Sequence, residues 1–306
     1  MAEATQALLA QFSTALAERT AAARPLVAAV RVRGHALRSG TLWRQDVVVV
    51  SEQAWPRSEE AEIVLADGKT LPARLAGRDP GTNTALLRLD GGSQITAGQP
   101  AWSPAAEPRP GAVVLALAAD ETCGNAVRLG VVRAVGPSWH SRAGGRIDRR
   151  IWLDMQLANS EEGGPVIDAE GGLLGISTLG PRRRVLVIPT ATVERVVEPL
   201  LSRGRIARGW LGLAVQPVLV PDIPGQETSQ RQGLMVVGIT RDGPAAQAGM
   251  LMGDILLAID ETAVPGMARL AEVLGPEAVG KQMQLRLIRA GNVQSVTAMV
   301  GERPSR

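Results

Sequence analysis

The chain has 306 residues, of which 45% are apolar and 21% are charged, and this composition excludes a disordered chain or a collagen-like repeat. The net charge is only +3 and the arginines are scattered, which argues against a nucleic-acid-binding surface. A single cysteine, Cys123, excludes an internal disulfide, and two histidines are few for a metal enzyme, so we expect neither a metal nor another cofactor. The length fits two domains of ordinary size.

The N-terminal segment, residues 1–25, predicts a helix that ends before Pro25 and carries apolar residues on one side, namely Leu8, Leu9, Phe12 and Leu16. It has no basic n-region, and no apolar run in the chain approaches the about 20 residues of a membrane helix. The sequence as given therefore predicts a cytoplasmic protein without a transmembrane segment. It would be periplasmic if a signal peptide had been removed.

Between residues 26 and 203 the pattern changes to short Val, Leu and Ile runs separated by turns. Asp67-Gly68 lies between two such runs, 62–65 and 71–75, and predicts a β-hairpin. Further strands are predicted at 27–32, 46–50, 85–89, 112–118, 130–135, 151–155, 165–167, 173–177 and 185–188. Many short strands with frequent turns favour a β-barrel or sandwich, and a helix is predicted after them at 190–202.

The remaining residues, 204–306, mix strands and helices. Strands are predicted at 211–215, 234–239, 254–259, 282–289 and 293–300, with a short helix from residue 242, a second helix at 267–274 and a Pro-rich loop at 217–232. This pattern is typical of a small α+β domain.

Three segments resemble HtrA-type serine proteases: residues 65–90 and 152–178 of the first region, and residues 185–217, which run from the first region into the last. In the last region, DGPAAQAGMLMGDILLAID at 242–260 is similar to a PDZ signature. The resemblance implies a mainly β fold, in which a trypsin-like double β-barrel is followed by an α+β PDZ domain. It divides the chain into an N-terminal helical segment at 1–25, a protease-fold domain at 26–203 and a PDZ domain at 204–306.

The family's catalytic residues do not match this sequence. The family serine precedes Gly-Gly-Pro, where this chain has Glu162; the family aspartate falls on Asn83, and the family histidine falls on Gln53 or Ala54. Serine, histidine and aspartate each have a separate role in this chemistry, and a carboxylate at Glu162 would oppose the negative charge that acyl transfer develops. The resemblance thus predicts a pseudoprotease that is not an enzyme. The alternative is an active HtrA-type serine endopeptidase that uses a non-standard site.

Other polar residues in the first region have simpler interpretations. We expect Glu161 and Glu162 to be solvated charges, since charged pairs on loops are commonly exposed. Arg182, Arg183 and Arg184 are expected to form a solvated hairpin tip, although such a run could also contact an acidic partner. Cys123 is expected to be inert. The tryptophans Trp139 and Trp152 fit either the core or the wall of a substrate cleft.

The PDZ groove is where the resemblance implies ligand binding. PDZ domains bind an extended peptide as an added strand, and backbone N–H groups capture its terminal carboxylate. The family's carboxylate-binding turn has an apolar-apolar-Gly-apolar form, and Gly212 is expected to let the backbone approach the carboxylate closely. The other wall is a helix, with either Leu270 and Leu274 or Arg269 and Val273 facing the groove. The resemblance therefore assigns peptide binding to Trp210, Leu211, Gly212, Leu213, Val215, Leu270 and Leu274.

The function expected from these observations is that of a scaffold, a chaperone-like protein or a regulatory binding protein. Its partners would be peptide or protein C-termini, or apolar peptide segments, held by the PDZ domain. The resemblance also implies a homotrimer, or a mixed oligomer with an active HtrA-type protease. A purely structural protein with neither activity nor ligand is the third interpretation.

Overall fold

The computed structural model describes residues 2–91, 102–122, 124–141, 143–220 and 230–304, so Cys123 lies outside the described residues. The chain divides into two compact units. The first, called the barrel unit, comprises Met1–Trp139 and Arg146–Arg205, and the second, called the groove unit, comprises His140–Gly145 and Ile206–Arg306. No helix in the described ranges is long and apolar enough to span a bilayer.

The barrel unit begins with helix α1 (Ala2–Ala23), which a short 3-10 turn, Arg24–Leu26, joins to the first strand. The predicted helix is therefore present, but its apolar side is open to solvent. Leu8 and Leu9 are each 65% exposed and Phe12 is 48% exposed. These three side chains gain little from burial within the chain, because burial stabilises in proportion to the apolar area removed from water.

Six antiparallel strands form the first barrel, in the order β1-β2-β3-β6-β5-β4 with β4 paired to β1: β1 (Val27–Arg31), β2 (Arg38–Arg44), β3 (Val47–Ser51), β4 (Glu60–Val64), β5 (Thr70–Asp79) and β6 (Thr84–Leu89). The β4–β5 hairpin lies where the Asp67-Gly68 turn predicts it. Strand β2 was not predicted, because Ser39, Gly40 and Thr41 interrupt its apolar pattern. All three are buried, and a Cβ on Gly40 would lie 2.7 Å from Val48 Cγ1, so the small residue makes room for the core.

The second barrel also closes with six strands, in the order β11-β14-β13-β12-β7-β8, while β9 and β10 pair separately. The strands are β7 (Val113–Asp120), β8 (Gly124–Gly136), β9 (Trp139–His140), β10 (Arg146–Ile147), β11 (Arg150–Asp154), β12 (Pro165–Asp168), β13 (Leu173–Leu179) and β14 (Val185–Pro189). Helix α2 (Thr190–Arg203) follows and packs on β5. A Cβ on Gly77 of β5 would lie 2.5 Å from Leu200 O, so only glycine permits this close approach.

The groove unit contains an antiparallel sheet in the order β16-β17-β18-β20-β21, with β19 on β18 and a separate β15–β22 pair. Its elements are β15 (Gly209–Trp210), β16 (Leu213–Leu219), β17 (Gln232–Ile239), α3 (Pro244–Gln247), β18 (Ile255–Ile259), β19 (Thr262–Ala263), α4 (Met267–Val273), β20 (Gln282–Arg289), β21 (Asn292–Met299) and β22 (Gly301–Glu302). Strand β16 continues into the predicted Pro-rich loop, of which residues 221–229 lie outside the described residues.

One ion pair, between a buried carboxylate and a partly exposed arginine, fixes a corner of this unit. The Asp254 carboxylate is 1% exposed and accepts hydrogen bonds from Arg289 Nε and Nη2, and from Leu251 N. These hydrogen bonds to the carboxylate raise the pKa of the Arg289 guanidinium. Two barrels followed by an α+β unit agree with the predicted mainly β fold.

Candidate functional site

Polar side chains from both barrels meet where β3 and β13 end. Strand β3 ends at Ser51, and Gln53 follows in the 3-10 turn Glu52–Ala54. We call the five side chains that meet here the Glu162 cluster: Ser51, Gln53, Asn83, Glu162 and Thr178.

One oxygen of Glu162 is the centre of the cluster. Its Oε1 accepts hydrogen bonds from Ser51 Oγ (2.8 Å), Thr178 Oγ1 (2.6 Å) and Leu179 N (3.1 Å). The Gln53 side-chain amide donates a fourth hydrogen bond to the same oxygen. Glu162 is 5% exposed, so the expectation of a solvated charge is wrong for this residue. Donors of this kind compensate the desolvation of a buried carboxylate.

Asn83 sets the direction of two of these hydrogen bonds. Its Nδ2 donates to Ser51 Oγ (3.0 Å) and to Thr178 Oγ1 (2.6 Å), while its Oδ1 accepts from Gln53 N (2.7 Å). Each hydroxyl thus accepts from the amide and donates its own proton to Glu162. Asn83 has a left-handed backbone (φ 55°), which asparagine tolerates better than most residues.

The neighbouring carboxylate belongs to a different network. Glu161 is also 5% exposed, and its Oε1 accepts from Arg128 Nε at 2.9 Å. Its Oε2 accepts from Ala158 N at 2.7 Å. The hydrogen bond to Glu161 raises the pKa of the Arg128 guanidinium. Glu161 is therefore a paired, buried charge as well, contrary to the prediction, and the two adjacent carboxylates do not act on one ligand position.

The turn after Glu162 is fixed by packing. Gly163 has φ +95°, and a Cβ there would lie 2.6 Å from Ser39 O. A Cβ on Gly164 would lie 2.0 Å from Leu117 O. Gly163 N also donates to Ser177 O at 2.9 Å. The two glycines are thus required by the close approach of neighbouring backbone, and their presence does not depend on the chemistry of the site.

The structure brings Gln53, Asn83 and Glu162 together, as the alignment of motifs predicts. Ala54, the alternative to Gln53, contributes only its carbonyl oxygen, which accepts from Arg38 Nε at 3.3 Å. Sequence reasoning missed Ser51 and Thr178. The one available signal for Ser51 is its position directly after the apolar run of β3. Neither histidine belongs to the cluster, since His35 lies between β1 and β2 and His140 lies in the groove unit.

The groove unit has its own concave site between β16 and α4, a cavity of about 550 Å³ that we call the groove. All seven residues predicted to bind peptide line it: Trp210, Leu211, Gly212, Leu213, Val215, Leu270 and Leu274. The helix pair facing the groove is thus Leu270 with Leu274, whereas Arg269 forms an ion pair with Glu272 (2.6 Å). Residues His140, Ser141, Ala143 and Gly144 line it too, and this contribution was not predicted.

The backbone and surroundings of Gly212 favour glycine at this position of the groove. Its φ is +76°, and a Cβ would lie 3.3 Å from Trp210 Cζ2 and 3.4 Å from Thr240 Cβ. An added side chain would therefore first meet these two residues. No hydrogen bond joins the Gly212 N–H to the described part of the chain, which leaves this donor for a ligand.

Two family models match the chain. The trypsin-like peptidase domain matches residues 38–176, and the PDZ domain matches residues 214–300. A curated relative from Brucella suis biovar 1 is 28% identical over 274 residues, which are 87% of this chain and 53% of the relative. One from Halomonas elongata is 25% identical over 282 residues, or 88% and 57%. Both are named probable periplasmic serine endoprotease DegP-like, and the chain spans about half of their length.

Solved structures agree with this likeness. The HtrA-type protease AlgW with a tripeptide is 26% identical and superposes with a TM-score of 0.72, covering 95% of this chain and 98% of that protein. The serine endoprotease from Yersinia pestis is 25% identical, with a TM-score of 0.74 and coverage of 94% and 97%.

These comparisons correct two predictions. The prediction that the chain is a pseudoprotease and not an enzyme is contradicted by relatives over most of its length that are named serine endoproteases. The prediction of a cytoplasmic protein is contradicted by the periplasmic location in the relatives' names. Together, the fold, the order of the two matched domains and the likeness to solved structures lead to one conclusion: the chain has a trypsin-like peptidase domain followed by a PDZ domain, and it is similar to HtrA-type proteases.

Proposed function

We propose that this chain is a periplasmic HtrA-type serine endopeptidase, which cleaves polypeptides through a non-standard site in the barrel unit and binds peptides in the groove. The names of the relatives support the activity and the compartment. The observation that carries the proposal is the 2.8 Å hydrogen bond between Ser51 Oγ and Glu162 Oε1. It pairs a hydroxyl nucleophile with a base at hydrogen-bond distance, which is the geometric requirement for nucleophilic catalysis.

In this proposal Ser51 Oγ attacks the scissile carbonyl carbon and its proton passes to Glu162 Oε1. The protonated Glu162 then gives that proton to the leaving amine as the peptide C–N bond breaks, and an acyl ester forms on Ser51. Water then hydrolyses the ester: Glu162 accepts the proton of the attacking water and returns it to Ser51 Oγ as the ester C–O bond breaks, which releases the acyl product and restores the free serine. The hydrogen bond from Asn83 Nδ2 to Ser51 Oγ stabilises negative charge on that oxygen as its proton leaves.

We expect the access of substrate to Ser51 to limit the rate of reaction at this site. Ser51 is 1% exposed, whereas the neighbouring Gln53 is exposed and donates to the same carboxylate oxygen. Acylation therefore requires that the Gln53 side chain leave Glu162 and open a path to Ser51. Side-chain and loop motions of this kind limit the turnover of many enzymes. A carboxylate is also a weaker base than an imidazole, so we expect turnover slower than that of a Ser-His-Asp enzyme.

A fluorophosphonate probe, combined with hydrolysis of unfolded casein, tests the peptidase proposal. We expect the probe to label Ser51, and we expect both labelling and hydrolysis to be lost in Ser51→Ala. The matched control is Ser160→Ala, since Ser160 lies close in sequence to Glu162 but its hydroxyl is not part of the cluster. If no serine is labelled and casein stays intact after prolonged incubation, the barrel unit does not act as a peptidase.

Peptide binding in the groove rests on separate observations. The groove is mainly apolar, it lies beside β16, and Gly212 offers an N–H group at the turn that precedes this strand. An added peptide strand with a terminal carboxylate fits these features. Charge-assisted hydrogen bonds are worth about 1.5–3 kcal/mol, so losing the carboxylate is expected to weaken binding by roughly one to two orders of magnitude.

Calorimetric titration with one apolar peptide, as the free acid and as the amide, tests this part. We expect the free acid to bind much more tightly, and Gly212→Val to abolish binding because valine strains the left-handed turn and meets Trp210. Equal affinity of acid and amide would indicate that the groove takes internal apolar segments. Unchanged binding by Gly212→Val would place the ligand elsewhere.

We propose further that the chain assembles through α1, as a homotrimer or with another HtrA-type protease. The open apolar side of α1 supports this, because Leu8, Leu9 and Phe12 would be buried in a subunit contact. Sedimentation analysis of the chain and of a Phe12→Ser variant tests the proposal. A monomer at micromolar concentration would contradict self-assembly.

A further inference from the structure

The hairpin between β13 and β14 has an unusual tip. It is the 3-10 turn Pro181–Arg183, in which Arg182 (φ 56°) and Arg183 (φ 57°) both have left-handed backbone. Side chains with a Cβ adopt this conformation rarely, and two in succession are rarer still. Glycine or asparagine would relieve the strain, so the arginines are present despite an unfavourable backbone.

The arginines at this tip are held by neutral groups. Arg183 Nη1 donates to Asn159 Oδ1 at 3.1 Å and its Nη2 donates to Leu157 O at 3.3 Å. The guanidinium carbon of Arg184 lies 4.8 Å from the centre of the Trp152 ring. Within the described ranges, no ion pair joins either of these arginines, or Arg182, to a carboxylate. Among the residues that the structure describes, the tip therefore presents three positive charges without an acidic partner.

The tip also borders the Glu162 cluster. Strand β13, which leads into the tip, ends at Leu179, and Leu179 N donates to Glu162 Oε1 at 3.1 Å. On the other side, Asn159, which holds Arg183, begins the 3-10 turn that immediately precedes Glu162. One neighbour of the tip thus contacts Glu162 directly and the other lies three residues before it, so the tip is adjacent to the site at which the proposed function places cleavage.

We propose that Arg182 and Arg183 form a subsite for acidic side chains, and that the barrel unit prefers polypeptides with Asp or Glu close to the scissile bond. This inference rests on the proposed function, because it names the substrate class of that same site. Arginine suits the role, since its planar guanidinium matches a carboxylate in a bidentate geometry. Arg183 is already positioned by two hydrogen bonds, which reduces the entropy lost on binding.

The test measures binding without turnover, so that its failure is distinct from failure of the peptidase proposal. Fluorescence anisotropy of the 306-residue chain is recorded with two labelled peptides, one rich in Asp and one with Asn at the same positions. Both are amidated and lack apolar runs, which keeps them out of the groove. We expect the Asp peptide to bind at least tenfold more tightly at 50 mM salt, and to lose most of this advantage at 500 mM.

The variant Arg182→Asn/Arg183→Asn removes both charges with a residue that tolerates left-handed backbone. We expect it to bind the Asp peptide about tenfold more weakly, as two lost charge pairs imply. The matched control is Arg57→Asn/Arg109→Asn, which removes two exposed charges elsewhere in the barrel unit and should leave binding unchanged. Equal affinity for the two peptides, or an equal loss in both variants, would overturn the proposal. The proposal would also be overturned if inorganic phosphate competed for the tip while the Asp and Asn peptides bound with equal affinity.

Discussion

The buried carboxylate of Glu162 makes a testable contribution to stability. In a Glu162→Ala variant the four donors around Oε1 lose their acceptor at once. The hydroxyl protons of Ser51 and Thr178 can rotate toward other acceptors, and the Gln53 amide still has Leu179 O at 2.7 Å. The N–H of Leu179 is fixed by the backbone and cannot follow.

The expected magnitude follows from that asymmetry. An orphaned buried donor costs about 1–3 kcal/mol, and exchanging charge-assisted for neutral hydrogen bonds adds about 1 kcal/mol. Relief of the carboxylate's desolvation offsets part of this. We therefore expect Glu162→Ala to lower the free energy of unfolding of the barrel unit by about 3 kcal/mol. Glu162→Gln retains an acceptor oxygen and should cost about 1 kcal/mol.

Thermal unfolding followed by tryptophan fluorescence measures the loss, because every tryptophan except Trp210 lies in the barrel unit. For a unit of this size, about 3 kcal/mol corresponds to a decrease in Tm of about 6–12 °C. If the Ala and Gln variants both unfold at the temperature of the parent chain, Glu162 is effectively solvated. The hydrogen-bond network around it would then contribute nothing to stability.

Two further stability predictions follow from packing. Gly77→Ala should destabilise the barrel unit by about 2–3 kcal/mol, because the added Cβ would lie 2.5 Å from a carbonyl oxygen of α2. In the control variant Gly136→Ala the nearest neighbouring atom lies 3.5 Å from the added Cβ, so the Tm should change by less than about 2 °C. Equal Tm values for the two variants would contradict this prediction. Asp254→Asn should cost the groove unit about 1–3 kcal/mol, because it weakens the charge-assisted hydrogen bonds from the partly exposed Arg289, and hydrogen exchange should then speed up across β18 and β20. Unchanged protection of those strands would show that the pair is dispensable.

Local sequence patterns predicted most of the strands but few of the partners within the site. Asp67-Gly68 indicates its hairpin because turn chemistry depends on adjacent residues alone. The apolar run of β3 predicts a strand, but nothing in it shows that Ser51 donates to a carboxylate 111 residues away. The burial of Glu161, which lies in a 3-10 turn, depends in the same way on Arg128 of β8. Such contacts are set by how the barrels close, which no local pattern reports.

Three further residues show how little the residue type alone predicts about backbone conformation and contacts. Gly212 was expected in a carboxylate-binding turn, and the sequence did not show that the atoms nearest to an added Cβ are those of Trp210 and Thr240. Arg182 and Arg183 carry no sequence signal for left-handed backbone, since arginine has no preference for it. A sequence indicates which backbone conformations have low free energy, but a strained conformation is imposed by the surrounding fold.

The groove unit includes a segment from the barrel region, and this affects experiments that use the groove unit as a separate fragment. Its wall includes His140, Ser141, Ala143 and Gly144, which are encoded within the barrel region, more than 60 residues before β15 begins. A Cβ on Gly144 would lie 3.0 Å from Ala271 Cβ, so the segment fits closely against α4. A fragment cut at residue 206 would consequently display a wider and more exposed groove than the intact protein. Peptides selected for binding to such a fragment would therefore fit a groove that differs from the groove of the 306-residue chain.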